Sequence, residues 1–132
     1  MRVIRKIMAL ALVAMAFVAC SSELKTDELA ANTARAYYDY LLQGQYDDFV
    51  AGMDGYDEMP EGYRQQLADN ARMYVAQIKK EHGGIERLRV MKAEVDNDTQ
   101  TAQVYLVITF HDNLNEQILV PMVRRNGIWM MR

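Results

Sequence analysis

The clearest pattern in the chain lies in its last quarter. Across 101–111, Ala102, Val104, Leu106, Ile108 and Phe110 take alternate positions, and Gln103, Tyr105, Thr109 and His111 stand between them. Side chains of a strand point to opposite faces in turn, so this run predicts a strand with one apolar and one mixed face. Its Val, Ile, Thr, Tyr and Phe content suits a half-buried pleated surface. Two further apolar runs, 117–125 and 128–132, follow after turns. Asp112-Asn113-Leu114-Asn115 is rich in residues that bond their own backbone and tolerate left-handed conformations. Asn126-Gly127 is the strongest two-residue hairpin signal, because a type I′ turn needs positive φ at both central positions. It sets Arg125 opposite Ile128 and Arg124 opposite Trp129. Upstream, 85–95 holds Leu88 and Val90 on one parity and Met91, Ala93 and Val95 on the other, which a bulge near Val90-Met91 reconciles. With Asp96-Asn97-Asp98-Thr99 as its turn, it completes a four-stranded antiparallel meander.

Before residue 85 the period becomes helical. Thr26 is a fitting N-cap, with Asp27 and Glu28 at the positive helix end. Leu29, Thr33, Ala36, Tyr37, Tyr40 and Leu41 form one stripe, and Gly44 ends the helix. Tyr46, Phe49, Val50 and Met53 predict a short second helix, followed by an acidic loop, Asp54–Met59. Pro60 fits the first position of a third helix. Tyr63, Leu67, Ala71, Tyr74, Val75 and Ile78 are that helix's expected buried stripe, and Gly83-Gly84 its end. Helices first and strands afterwards predict an α+β domain over 26–132: three helices covering the apolar face of a curved four-stranded antiparallel sheet.

The first residues follow a different pattern. Arg2, Arg5 and Lys6 precede an unbroken apolar run of 12 residues, Ile7–Val18, and then Ala19-Cys20-Ser21-Ser22. The run is shorter than the about 20 residues a membrane span needs, and it matches the apolar core of a secretory signal. Val18, Ala19 and Cys20 resemble the lipobox of a bacterial lipoprotein signal peptide. The resemblance implies a cleaved signal peptide at 1–19, a diacylated or triacylated Cys20 (chains of the palmitate type) as the mature N-terminus, and a polar tether over 20–25. More than one acyl chain anchors stably, since each buried methylene contributes about 0.8 kcal/mol. The expected location is the cell envelope, at the outer membrane, with the membrane reached through the lipid. Cys20 is the single cysteine, so no intramolecular disulfide forms.

Charge narrows the partners. Without Arg2, Arg5 and Lys6, 12 of the 15 basic residues remain against all 18 acidic ones, a net charge of −6. Nucleic-acid binding rests on phosphate neutralisation by Lys and Arg, so nucleic acid is not an expected partner. The chemistry-bearing residues are sparse. His82 reads as a cation at a helix end and His111 as a strand residue before a turn. Neither has the clustered partners that zinc needs. Asp54, Asp57, Glu58 and Glu61 lack the ligand series of a calcium loop and read as a solvated acidic loop. Ser21 and Ser22, the only serines, sit beside Cys20, which excludes a serine hydrolase. No metal site, cofactor site or catalytic residue is expected. Asp39 beside Tyr37, Tyr38 and Tyr40 is the one acid–base candidate, and its helical position points it away from the buried stripe. The methionines Met53, Met73, Met91, Met122, Met130 and Met131 read as core gap-fillers.

A helix, the break Gln43-Gly44-Gln45-Tyr46-Asp47-Asp48-Phe49, a longer helix and a meander ending Asn126-Gly127-Ile128-Trp129 resemble the small lipoprotein domains of the nuclear-transport-factor-2-like, cystatin-like superfamily. The resemblance covers about 26–132 and implies a curved sheet wrapped around helices as a cone. Many such domains have no known activity, so function must be argued from the site. The expected function is a non-catalytic binding or scaffold module, for a small apolar ligand in the cone or an envelope protein on the sheet. The alternative is an acid–base enzyme, isomerase or dehydratase-like, with its site inside the cone. An open apolar pocket of a few hundred Å³ would favour the ligand, and a filled core the protein partner.

Overall fold

The computed structural model describes residues 26–132; the expected leader at 1–19, Cys20 and the rest of the tether to residue 25 lie outside the described residues. Helix α1 spans Thr26–Leu42, α2 Tyr46–Ala51 and α3 Glu61–His82, with a 3-10 turn, Tyr56–Glu58, between the last two. The strands are β1 (Ile85–Asp96), β2 (Thr101–Phe110), β3 (Asn115–Arg125) and β4 (Ile128–Met131). They form one antiparallel sheet in the order β1-β2-β3-β4. No helix among the described residues is long and apolar enough to cross a membrane.

The sheet follows its sequence pattern closely. Ala102, Val104, Leu106, Ile108 and Phe110 are all buried on the helix-covered face. The register breaks between Val90 and Lys92, as the parity conflict in β1 predicts, and Leu88 and Ala93 then face the same side. Asn126 and Gly127 take φ of 52° and 79°, and Arg125 lies opposite Ile128 and Arg124 opposite Trp129. Trp129 is 2% exposed and closes the base of the core with Met122 and Met131. The outer edge of β4 is covered by the segment after α2. Met131 donates its N–H to Gly52 at 2.7 Å, and Asp54 donates its own to Met131 at 2.6 Å. Arg125 reaches Asp54 with an ion pair of 3.2 Å across the same junction.

The helices differ from their expected faces. In α1 the buried residues are Ala30, Ala31, Ala34 and Leu41, with Tyr37 and Tyr38 half-buried, whereas Leu29 is 42% exposed and Thr33, Ala36 and Tyr40 do not enter the core. The stripe is turned by about one residue, because three methyl side chains let the helix lie close on β1 where Leu and Tyr would hold it off. Thr33 bonds back to the Leu29 carbonyl at 2.7 Å instead. Gly44, at φ 78°, ends α1 as expected: Gln45 donates to Tyr40 and Gly44 to Leu41, a Schellman closure. Pro60 is the N-cap of α3 in extended conformation, not its first helical residue. In α3, Ala68, Ala71 and Ile78 are buried, Leu67 and Val75 half-buried, and Tyr63 and Tyr74 remain 49% and 38% exposed. The physical reason is that α3 leans chiefly on α2 and little on the sheet. Met73 and Met91, expected in the core, are exposed; Met122 and Met131 are buried.

At the far end of α3, Gly83 closes the helix in left-handed conformation. The His82 ring stacks on Phe110 at 4.2 Å, and its Nδ1 lies 2.7 Å from an Asp112 carboxylate oxygen. That hydrogen bond holds the Asp112 carboxyl below its usual range. His82 therefore joins the end of α3 to the β2–β3 turn. His111 lies in that turn, against Gly83 and Gly84.

Candidate functional site

Because α3 tilts off the sheet, a wedge stays open between the helices and the start of β3. It is a cleft of about 460 Å³, within the size range of small-molecule sites. The last turns of α1 contribute Tyr38 and Leu41, and Phe49 and Met53 come from α2 and the residues after it. The α3 wall is Leu67, Asn70, Ala71 and Tyr74, and the opposite wall is Glu116, Gln117 and Ile118 of β3. Exposure rises along the cleft. Leu41 and Ala71 at the floor are buried, whereas Tyr74 and Glu116 are exposed at the mouth.

The Tyr38 ring meets Phe49 edge-to-face, with centroids 5.4 Å apart. Burial, with a smaller contribution from the nearby Tyr74 phenol, pushes the Tyr38 hydroxyl up to about 12. At neutral pH it is a protonated hydrogen-bond donor in an apolar wall. Tyr74 is also raised, first by burial and then by the Glu116 carboxylate, so phenol and carboxylate share the lip. Glu116 is the only charged residue among the described residues lining the cleft. Donors and acceptors are otherwise the amides of Asn70 and Gln117. The arrangement can enclose an apolar body and hold one polar end at the mouth.

The acid–base candidate from the sequence is dispersed. Asp39 does not line the cleft, and its three tyrosine neighbours separate. Tyr38 turns into the cleft, and Tyr40 is exposed. Tyr37 donates its hydroxyl to the Trp129 carbonyl at 2.7 Å, so it ties α1 to the base of the sheet. The residue that sequence reasoning missed is Glu116. Ile118, Val120 and Met122 face the core, and Glu116 shares their parity opposite Ile108. Glu116 lies one residue before the apolar run 117–125, at the parity of its core-facing positions.

The acidic loop forms a second, more polar hollow of about 400 Å³ with the β3–β4 hairpin. There Asp54 is paired with Arg125, and Arg64 donates to the carbonyls of Tyr56 and Asp57. No group of three or more His, Cys, Asp or Glu among the described residues is placed to hold a metal ion.

A helix-covered, curved antiparallel meander with a cleft at its open end is the nuclear-transport-factor-2-like fold. Among solved structures the chain is similar to a Campylobacter jejuni protein named provisionally as an NTF2-like transpeptidase. The TM-score is 0.63 at 12% identity, over 76% of this chain and 94% of that one. At this identity the likeness bears on the fold alone. No protein-family profile matches the chain, and no curated protein matches it.

Proposed function

We propose that this protein is a membrane-anchored binding module, held in the cell envelope by a lipid on Cys20, that takes a small apolar ligand into the cleft. The open apolar cleft of about 460 Å³ carries the reading. A domain serving only as a scaffold would gain stability by filling that wedge, as the base around Trp129 is filled. Calorimetric titration with 1-octanol tests it. Saturable one-site binding is expected. Ala71→Phe, whose ring would occupy the cleft, should weaken it at least tenfold while the domain still melts cooperatively. Unsaturable binding, or equal binding by that variant, would reject the site.

The anchor has its own support in the lipobox-like Val18-Ala19-Cys20 after the apolar run. Cys20→Ser is expected to move the protein from the membrane fraction to the soluble one. Complete retention on membranes after detergent-free washing would show that something other than the lipid holds it.

One observation favours the enzymatic alternative: Glu116 has inward parity and lies near Tyr74. Acid–base catalysis by a carboxylate needs a water-excluded site and oriented donors. Glu116 is exposed at the mouth of the cleft, so water is not excluded from its carboxylate. Binding is the better account of the pair.

A further inference from the structure

The wall chemistry of the cleft narrows the ligand class, and this inference rests on the ligand-binding reading above. We infer that the ligand is an amphiphilic organic cation, an apolar body ending in a single ammonium group. At the lip, the only charge among the described lining residues is the Glu116 carboxylate. Three aromatic rings, Tyr38, Phe49 and Tyr74, share the cleft with it, and the negative faces of such rings attract cations. No Lys or Arg is among the described residues lining the cleft, and on α3 Arg64 lies over the Tyr56 ring at 4.1 Å and Arg72 over Tyr46 at 5.4 Å. An anionic head would therefore meet a carboxylate and aromatic faces with no counter-charge. A neutral head can donate a hydrogen bond to Glu116 but leaves its charge without a counter-charge.

The gradient of exposure fixes the orientation. Leu41, Ala71 and Ile118 receive the apolar body, and the head sits between Tyr74 and Glu116. The acidic balance of the chain adds a long-range attraction of the same sign. A zwitterionic lipid headgroup carries its ammonium beside a phosphate, which Glu116 would repel, so the ligand is a free amine or quaternary ammonium amphiphile.

Four probes with one apolar body test this by calorimetric titration of the protein: octyltrimethylammonium, 1-octanol, octanoate and octylphosphocholine. The ammonium is expected to bind roughly tenfold tighter than the alcohol, octanoate more weakly than the alcohol, and octylphosphocholine no better than the alcohol. Glu116→Gln, an exposed substitution, should lower the ammonium-to-alcohol ratio several-fold, leaving only the share that the aromatic rings supply, and added salt should lower that ratio in the wild type. If the alcohol or octanoate binds as tightly as the ammonium, the charge assignment fails while the ligand-binding reading stands. An unchanged ratio in Glu116→Gln overturns the same assignment. If octylphosphocholine equals the ammonium, the free-amine source is wrong. Saturable binding of none of the four overturns both readings.

Discussion

Trp129→Ala is expected to unfold most of the protein's stability margin. Trp129 is 2% exposed and lies in the core with Met122, Met131, Ala102 and Val104 around the base of the cone. Truncating a buried Trp to Ala removes its transfer free energy and leaves a cavity, together about 3–5 kcal/mol. A domain holds only about 5–15 kcal/mol in all. The melting temperature should fall by on the order of 20 °C. The indole N–H is buried with no acceptor in reach. Trp129→Phe therefore gives up volume without breaking a hydrogen bond, and a smaller loss than the alanine variant is expected. As the only tryptophan, Trp129 also reports on itself: a blue-shifted emission shielded from iodide is expected. A red-shifted, freely quenched emission, or a melting point unchanged in the alanine variant, would move Trp129 out of the core and onto a surface.

Gly52→Ala is expected to destabilise the domain by about 1–3 kcal/mol. The backbone does not demand glycine there. Gly52 has φ −78° and ψ −3°, which any residue adopts, so alanine alone would stabilise slightly by stiffening the unfolded chain. Packing reverses the sign. A Cβ at Gly52 would lie 2.5, 2.7 and 2.8 Å from Cδ1, Cε1 and Cγ of Tyr37. The ring cannot swing aside cheaply, because its hydroxyl is bonded to the Trp129 carbonyl on β4. Gly52 is itself bonded to Met131 through its carbonyl, so its backbone is held as well. The check is a double-mutant cycle by urea denaturation. In a Tyr37→Ala background the cost of Gly52→Ala should vanish or change sign. Additive costs would show that the close approach of Tyr37 is not the cause.

Both changes act at one junction. Tyr37 from α1, Gly52 after α2 and the last strand meet there, and the edge of β4 finds its partner in the segment Gly52–Asp54. That arrangement ties α1, the segment after α2 and the last strand together at the base of the core, and Met53 of the same segment also lines the cleft.

Much of this was legible along the chain. Period-two alternation in β2, Asn126-Gly127, the parity conflict at Val90-Met91 and the glycines at 44 and 83 each report a local requirement of the backbone. A strand's two faces and a left-handed turn are set within a few residues, and no distant partner can alter them cheaply. Element order and the α+β architecture follow from those local facts. The tertiary structure decided what depends on how elements meet. Which face of α1 is buried was settled by β1, since Ala30 and Ala34 permit a close approach that a stripe of Leu29 and Tyr40 would prevent. Gly52 became critical only when Tyr37, fifteen positions earlier, folded onto it. The cleft combines Tyr38, Ala71 and Glu116 from three separate elements. It exists because α3 rests chiefly on α2 and little on the sheet, a balance of packing between surfaces far apart in the chain that no local period records.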